Sequence, residues 1–420
     1  MKQIIITGGK NLSGEIKISG AKNSAVALIP ASILSDGVVK IDNIPNVSDI
    51  DALTETLEFL GANVTRNDSI IEIDSTKITN KEIPEHLSKK LRASYYFMGA
   101  LLGKFKFVEM YFPGGCSIGA RPIDQTLKAF KLLGADIIER NNKYTIKANK
   151  LIGNHIYLDM PSVGATINTI LASVRAEGTT ILENAAKEPE VVNVATYLNN
   201  MGAKIYGAGT SEIKIIGVEK LTGCFSEVIP DRIEAGTYTI LGALIGRELK
   251  ISNIIPDHIE SLLSKLKEMG IPIIVNDDSL IISSVANLKP VEIKTLGYPG
   301  FPTDLQQPLT ALLTQCSGKS ILEETLYENR FKNVNYLNSM GANIEQISDK
   351  VIYINGKTKL FGQNVLATDL RAGACMLLAG LKAEGITKIS NVEHILRGYE
   401  NLVSKLKAVG ADIKLIDVEE

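Results

Sequence analysis

Apolar and polar positions along the chain repeat with a period of about 70 residues. In each repeat an amphipathic stretch with helical spacing, such as DALTETLEFLGA or ENLVSKLKAVGA, ends at a glycine. Short runs typical of strands follow, such as IIEIDS and VIYING. The glycine fits the position after a helix, where the chain turns through the left-handed region. These glycines are Gly61, Gly134, Gly202, Gly270, Gly341 and Gly410.

A second helical stretch lies upstream in each repeat and consists mostly of small residues. SVGATINTILASV and TDLRAGACMLLAGL are examples, and both are apolar nearly all round, which predicts buried helices. Each repeat is therefore predicted to run strand, buried helix, strand, surface helix and strand pair. Six such βαβαββ-type units predict an α/β fold, because strands and helices alternate throughout.

The six units divide into two predicted domains of three units, each built around its buried helices. We place the first domain at residues 22–230 and the second at 1–21 and 231–420, because the residue pattern of the sequence changes near 226–236. The N-terminal strand is predicted to complete the set of the last units. We expect the active site in the cleft between the two domains.

Composition excludes several classes of protein. The 420 residues carry a formal net charge of −2 and 5% aromatic side chains, which disfavours a ring or clamp around nucleic acid. No apolar run approaches the length of a membrane span, and MKQIIITGGK is too short for a secretory signal, so a cytoplasmic location is expected. The four cysteines and four histidines are scattered, which favours neither a disulfide framework nor a metal site.

Arginines are few, and six of them lie near predicted helix starts. The chain has ten arginines among 45 basic residues. Arginine holds carboxylate or phosphate in a planar fork, so two explanations stay open: ion pairs at helix ends, or an anionic ligand. Six similar contexts favour the ligand. The six arginines are Arg92, Arg121, Arg232, Arg330, Arg371 and Arg397.

Other polar residues also occur at the predicted starts of the buried helices. A helix N-terminus attracts anions, and a basic residue placed there adds to that attraction. Simple N-capping is the alternative, which explains Asp231 and in part Ser162. For Asp304 an N-cap and a role in orienting or deprotonating a substrate hydroxyl are equally open. The remaining candidates are Lys22, Asn23, Gly164 and Asp369.

The segment PGGCSIGARPID places a thiol among glycines. Cys116 on this loop, with Arg121 five residues later, is a candidate nucleophile or general acid, because nearby cations lower a thiol pKa. A harmless exposed thiol is the alternative. Cys316 and Cys375 lie in small-residue stretches that predict buried packing. No group of candidate functional residues surrounds Cys224 in the sequence.

These segments together resemble the UDP-N-acetylglucosamine enolpyruvyl transferase family across essentially the whole chain. The resemblance lies in PGGCSIGARPID, SGAKNSAV, SVGATIN, PDRIEAGT, GFPTDLQQP, ENRF, ATDLRAG and HILRGYE. It implies an inside-out α/β barrel fold and transfer of the enolpyruvyl group of phosphoenolpyruvate to the 3′-hydroxyl of UDP-N-acetylglucosamine, with release of phosphate. It also implies a tetrahedral adduct and no metal or organic cofactor. The sister family that acts on 3-phosphoshikimate shares the six units but lacks the cysteine loop.

The resemblance also implies roles for individual residues. Cys116, on a loop at about 112–125, would protonate C3 of phosphoenolpyruvate and be the thiol that fosfomycin alkylates. Asp304 would act on the 3′-hydroxyl, and Asp369 would position or exchange protons. Phosphoenolpyruvate would be bound by Lys22, Asn23, Arg121, Arg232, Arg371 and Arg397. The UDP-sugar would be bound by Asn23, Arg92, Arg121, Pro122, Ile123, Asp124, Gln125, Ser162, Val163, Gly164, Asp304 and Leu326.

One position departs from the family pattern. Some members carry a lysine two residues before the serine of SVGAT, where this chain has Met160 followed by Pro161. Backbone groups are the expected replacement for that contact with the UDP part. The two small-molecule substrates are the expected partners, with neither nucleic acid nor membrane, and the sequence leaves the oligomeric state open, a monomer included.

Overall fold

A computed structural model describes residues 2–114 and 122–418. Cys116 and Arg121 lie outside the described residues. The strands are β1 (Lys2–Thr7), β2 (Leu12–Lys17), β3 (Val38–Asp42), β4 (Asn63–Asn67), β5 (Ile70–Asp74), β6 (Phe107–Tyr111), β7 (Asp136–Arg140), β8 (Lys143–Lys147), β9 (His155–Tyr157), β10 (Thr179–Glu183), β11 (Lys204–Tyr206), β12 (Glu212–Ile216), β13 (Phe225–Glu227), β14 (Gly246–Ser252), β15 (Ile273–Val275), β16 (Ser279–Ile282), β17 (Glu292–Lys294), β18 (Gly318–Glu323), β19 (Ile344–Gln346), β20 (Val351–Gly356), β21 (Asn364–Leu366), β22 (Ile386–Ser390) and β23 (Asp412–Asp417).

The helices alternate with these strands. They are α1 (Lys22–Ala31), α2 (Ser48–Leu60), α3 (Glu85–Lys90), α4 (Tyr96–Phe105), α5 (Asp124–Leu132), α6 (Val163–Ser173), α7 (Pro189–Asn200), α8 (Arg232–Ile245), α9 (Glu260–Glu268), α10 (Thr303–Leu313), α11 (Asn333–Ser339), α12 (Leu370–Lys382), α13 (Glu393–Leu396) and α14 (Leu402–Ala408). Short 3-10 turns cover Ser32–Leu34, Arg92–Tyr95 and Pro256–Ile259. Within the described residues no helix is both long and apolar enough to cross a membrane.

Each predicted unit contributes most of the strands of one small sheet. The sheet β11-β12-β10-β9 shows the plan: β9 runs parallel to β10, and the antiparallel pair β11–β12 joins the other side of β10. Helix α6 connects the two parallel strands and α7 leads to the pair. In the part of the chain that the structure describes, five sheets have four strands, and the sixth, β6-β8-β7, has three with a single parallel bridge from Ile83 in place of the first strand. The predicted α/β fold class is confirmed.

The glycine at the end of each surface helix has the backbone conformation that the repeat predicted. The six glycines have φ between 88° and 107°, a region that side chains with a Cβ rarely adopt. Gly61, for example, follows α2 directly at φ 107°, and its N–H returns to the carbonyl of Glu58. This turn sends the chain from the helix into the strand pair.

Two strands pair outside their own stretch of sequence. β2 precedes α1 but runs parallel to β14, whereas β13 precedes α8 but runs parallel to β3. The strand that precedes the buried helix in each of these two units therefore lies in the sheet of the other unit. β1 lies between β22 and β23 in the last sheet, so the N-terminal strand completes the last unit as predicted.

The described residues divide into two compact units. The residues up to Ser19 and from Pro230 onward form one, here called the terminal unit, and those from Gly20 to Ile229 form the other, the central unit. The buried helices α8, α10 and α12 pack together in the terminal unit, and α1, α4 and α6 lie in the core of the central unit. Small residues allow this packing: a Cβ on Gly236 of α8 would lie 2.4 Å from Leu305 of α10.

Candidate functional site

Asp304 in the terminal unit lies between two buried arginines. Arg330 Nη2 is 2.9 Å from Asp304 Oδ1, and Arg371 Nη2 is 3.3 Å from Oδ2. The side chains of Arg330 and Arg371 are 4% and 6% exposed, and that of Asp304 is 25% exposed. Each oxygen of the Asp304 carboxylate thus pairs with a different guanidinium group. The N-cap alternative is wrong, because α10 begins at Thr303 after an N-cap at Pro302.

Arg371 is held by an internal network. Its Nη1 donates to the hydroxyl of Tyr399 at 3.2 Å, and its guanidinium lies 5.6 Å from the centre of that ring. Burial alone would lower the pKa of Arg371, but Asp304 and Tyr399 outweigh burial and raise it. Arg330 and Arg371 therefore form internal ion pairs, which is one of the two explanations left open for the arginines near predicted helix starts.

Asp369 begins α12 as its N-cap. Its Oδ1 accepts the backbone N–H groups of Arg371 at 2.9 Å and Ala372 at 3.0 Å. Its other oxygen, Oδ2, is buried and has no hydrogen-bond partner among the described residues. The sequence placed Asp369 at the start of a buried helix but did not single it out as an N-cap. The cap fixes the carboxylate and leaves Oδ2 available to a hydrogen-bond donor.

Arg232 and Arg397 also lie in the terminal unit. Arg232 is the first residue of α8, directly after the N-cap Asp231, whose carboxylate accepts the N–H groups of Ile233 and Glu234 as predicted. Its guanidinium lies 5.7 Å from the centre of the Tyr298 ring. Arg397 follows α13 directly and is half-buried.

Lys22 in the central unit forms an ion pair that the sequence did not reveal. Its Nζ lies 3.2 Å from Asp49 Oδ2, with side-chain exposures of 14% and 6%. Lys22 opens α1, and Asp49 is the second residue of α2, so each lies at the start of a helix. Asn23 follows Lys22 and is half-buried. The sequence did not identify Asp49 as the partner of Lys22, because an acidic residue in the first turn of a helix usually does no more than stabilise the helix dipole.

The predicted UDP-sugar residues Arg92 and Ser162 to Gly164 lie around Tyr95. The Arg92 guanidinium is 5.6 Å from the centre of the Tyr95 ring. A Cβ on Gly164 would lie 1.1 Å from the Tyr95 hydroxyl oxygen, so only glycine allows α6 to begin this close to the ring. Ser162 caps α6 by accepting the N–H of Ala165 at 3.3 Å, as predicted. The structure thus brings Arg92 and Gly164 to the same tyrosine, with Ser162 at the N-cap of the helix that Gly164 helps to begin.

Gln125 connects the start of α5 to the segment that carries Met160. Its Nε2 donates to Asp159 Oδ2 at 3.1 Å, and its Oε1 accepts the Asp159 N–H at 2.9 Å. Lys128 Nζ lies 2.6 Å from Asp159 Oδ1, and the Lys128 and Gln125 hydrogen bonds lower the pKa of Asp159. Met160 is 57% exposed beside this cluster. Asp124 and Pro122 are exposed, Ile123 and Val163 are half-buried, and Leu326 of the terminal unit is exposed on the loop after β18.

A partly buried polar cluster surrounds Ser19, where the chain leaves the terminal unit. The Ser19 N–H donates to Glu234 Oε2 at 2.8 Å, and its hydroxyl donates to Glu400 Oε2 at 2.5 Å. Lys405 Nζ donates to Ser19 Oγ at 2.7 Å and to Glu234 Oε1 at 2.6 Å. The Ser19 carbonyl accepts the Asp231 N–H at 2.9 Å. These bonds fix the crossing chain to the start of α8.

This cluster predicts a pH dependence of stability. Burial raises the pKa of the Glu234 carboxyl from its ordinary value of 4.5 to about 7, and Lys405 offsets only part of that effect. The folded chain therefore keeps this proton to a higher pH than the unfolded chain, so the stabilisation is complete below about pH 4.5 and is lost as the pH rises to about 7. We expect the free energy of unfolding to fall by up to about 3 kcal/mol over that window. Glu234→Gln should flatten this fall in urea titrations at stepped pH.

Glu72→Gln is the matched control for that measurement, because Glu72 pairs with Lys40 on the surface. It should keep the wild-type profile. A wild-type slope in Glu234→Gln would contradict the assignment to Glu234.

Among the residues described, no group of three or more His, Cys, Asp or Glu side chains is arranged to hold a metal ion.

Comparison with known proteins gives one consistent result. The family described as EPSP synthase (3-phosphoshikimate 1-carboxyvinyltransferase) matches residues 6–406. UDP-N-acetylglucosamine 1-carboxyvinyltransferase 2 of Listeria monocytogenes is 52% identical over 411 residues, covering 98% of this chain and 97% of that protein. The protein of the same name from Bacillus subtilis is 52% identical over 414 residues, covering 98% and 96%.

Solved structures agree on the fold. The enolpyruvyl transferase NikO from Streptomyces tendae superposes with a TM-score of 0.90 at 26% identity, covering 100% of this chain and 99% of that one. EPSP synthase from Acinetobacter baumannii superposes with a TM-score of 0.76 at 18% identity, covering 99% and 100%. The second likeness concerns the fold alone.

Proposed function

This chain belongs to the UDP-N-acetylglucosamine 1-carboxyvinyltransferase family, and we propose that it transfers the enolpyruvyl group of phosphoenolpyruvate to the 3′-hydroxyl of UDP-N-acetylglucosamine, releasing phosphate. The observation that carries the proposal is the 52% identity over 98% of the chain with relatives named for that activity. The carboxylate of Asp304 between Arg330 and Arg371 gives the reaction an anionic acceptor for a hydroxyl proton.

The proposed reaction is an addition followed by an elimination. Cys116 gives a proton to C3 of phosphoenolpyruvate, which makes C2 electrophilic, and the 3′-oxygen of the sugar attacks C2 as its proton passes to the Asp304 carboxylate. The tetrahedral adduct then returns a proton from C3, by way of Asp369, to the Cys116 thiolate, and phosphate leaves C2 with the proton held by Asp304, which restores the double bond. An acid on a glycine-rich loop suits this order, because it can reach the substrates after both have bound.

Asp304 is proposed to orient the 3′-hydroxyl and to accept its hydrogen bond. Its negative charge also stabilises the positive charge that develops at C2, and it takes the hydroxyl proton as the oxygen attacks. Asp369, with its buried Oδ2, is proposed to bind the proton that moves near the reacting carbon. Arg371 binds Asp304, so we propose that it acts on the substrates mainly through that carboxylate.

The remaining assignments stay proposals of the same kind. We propose that Lys22, Arg121, Arg232 and Arg397, with Asn23, bind the anionic groups of phosphoenolpyruvate or the adduct. The residues around Tyr95 and Gln125, together with Leu326, are proposed to bind the UDP-sugar. The assignment of residues 22–230 to one domain and of 1–21 with 231–420 to the other is likewise a proposal.

The proposed activity implies a cellular role. Its product would be a precursor of peptidoglycan, which connects the enzyme to cell-wall synthesis, cell shape and division in the cytoplasm. The reaction needs only the two small-molecule substrates. Fosfomycin, an epoxide, would inhibit by alkylating Cys116.

Phosphate release with alternative acceptors tests the function. We expect release from phosphoenolpyruvate with UDP-N-acetylglucosamine and none above background with shikimate 3-phosphate, because the cysteine loop is absent from the sister family. Release only with shikimate 3-phosphate would keep the fold and overturn the acceptor. Omission of either substrate is the control, and the folded state is checked by circular dichroism of the same sample.

A further inference from the structure

Glu324 is a fully buried carboxylate directly after β18 in the terminal unit. Its Oε1 accepts the hydroxyl of Thr295 at 2.9 Å and the N–H groups of Leu326 at 2.9 Å and Tyr327 at 3.3 Å. Its Oε2 accepts the hydroxyl of Thr303 at 2.7 Å. Within residues 2–114 and 122–418 no lysine or arginine pairs with it, so these four hydrogen bonds alone satisfy its buried oxygens.

These hydrogen bonds join the two segments that carry Asp304 and Leu326. Thr303 begins α10 and immediately precedes Asp304, whereas Leu326 and Tyr327 belong to the loop after β18. The Thr295 hydroxyl, which donates to Glu324, also accepts the N–H of Thr325 at 2.9 Å. One carboxylate therefore fixes the helix start and the loop to each other.

Two further contacts connect the same segments. Arg330, later in the loop, pairs with Asp304 and lies 5.2 Å from the centre of the Tyr327 ring. Gln306 Nε2 in α10 donates to the Arg330 carbonyl at 3.2 Å. The start of α10 and residues 324–330 thus form one hydrogen-bonded piece, in which Glu324 alone holds both the Thr303 hydroxyl and the Leu326 N–H.

We propose that Glu324 is a positioning residue that sets the distance between Asp304 and the Leu326 loop, and so places the 3′-hydroxyl of the acceptor sugar against Asp304. The proposal rests on the proposed function, because it takes Asp304 and Leu326 as contacts of the UDP-sugar. Glu324 itself touches no reacting atom. Displacement of a reacting group by about 1 Å is enough to slow a reaction on the order of 100-fold.

Three variants separate positioning from mere stability. Glu324→Ala leaves two buried hydroxyls and two N–H groups without their acceptor. Glu324→Gln can accept through Oε1, while its amide faces Thr303, whose hydroxyl can turn and accept instead. Glu323→Ala is the matched control, since Glu323 is the preceding residue and pairs with Lys294 at 3.1 Å on the surface.

Steady-state kinetics with each substrate varied in turn give the first readout. We expect Glu324→Ala to lose on the order of 100-fold in kcat/KM for UDP-N-acetylglucosamine, with the KM for phosphoenolpyruvate changed less than about threefold. Glu324→Gln should recover most of the loss, and Glu323→Ala should match the wild type. A comparable rise in the KM for phosphoenolpyruvate, or a glutamine variant as impaired as alanine, would overturn the proposal.

Hydrogen exchange of the loop gives a second readout that needs no substrate. Peptides containing Leu326 and Tyr327 should exchange faster in Glu324→Ala and at the wild-type rate in Glu324→Gln, because only alanine removes the acceptor. Unchanged exchange in Glu324→Ala overturns the anchoring, whatever the activity. If the wild-type enzyme does not use UDP-N-acetylglucosamine, the proposed function fails, and the exchange result still decides whether Glu324 holds the loop.

Discussion

Cys116→Ser is expected to lower turnover by on the order of 100- to 10,000-fold, the contribution of a positioned acid or base. A serine hydroxyl is a far weaker acid than a thiol, so protonation of C3 of phosphoenolpyruvate becomes the slow step. The measurement is phosphate release at saturating concentrations of both substrates. Cys116→Asp is the informative companion, because a carboxylic acid can replace the thiol as the acid but cannot be alkylated in the same way by fosfomycin. We expect that variant to keep activity and to resist the inhibitor.

The other three thiols are expected not to react with fosfomycin in a labelling experiment. Burial raises the pKa of Cys224 and of Cys316 to about 11 and that of Cys375 to about 12. At neutral pH these thiols hold almost no thiolate, which is the reactive form. Native protein should therefore take up one equivalent of fosfomycin per chain, and Cys116→Ser should take up none. Normal turnover of Cys116→Ser would contradict the acid role, and labelling of that variant would place the reactive thiol elsewhere.

Asp304→Ala is expected to damage both catalysis and stability. It removes the carboxylate between Arg330 and Arg371 and leaves two buried guanidinium groups without that anion. Loss of one partner of a buried ion pair destabilises a protein by about 3–5 kcal/mol. We expect a similar loss in the free energy of urea unfolding, and a fall in kcat of at least about 100-fold. Kinetics are to be measured at low temperature, where the variant stays folded.

Two comparisons show which part of the loss is catalytic. Asp412→Ala removes a carboxylate of the same unit that pairs with Lys10 on the surface, and it should change stability by less than about 1 kcal/mol. Arg330→Ala leaves Asp304 in place but removes one partner, so it should lose stability and keep more of the kcat than Asp304→Ala. If Arg330→Ala and Asp304→Ala lose kcat equally, Asp304 has no role beyond its ion pairs.

The residues at the site differ in how far the sequence could predict them. Asp231 and Ser162 were predicted as N-caps, because capping depends on residues two and three positions ahead. Asp304 was equally open as a cap or as a functional carboxylate, and the helix start one residue earlier decided against the cap. Asp49 and Glu324 were missed, since their partners Lys22 and Thr303 are distant in sequence.

The sequence by itself determined the six units, the buried and surface helices, the turn glycines and the family. Each of these depends on local spacing: helical or alternating apolar positions, a left-handed turn, or residue types within one short segment. Only the tertiary structure decided that β2 and β13 pair outside their own stretch of sequence, that Arg330 and Arg371 enclose Asp304, and that Glu324 joins α10 to the Leu326 loop. The physical reason is that strand pairing and buried ion pairs join residues tens to hundreds of positions apart. Their meeting follows from the path of the whole chain, which no short spacing encodes.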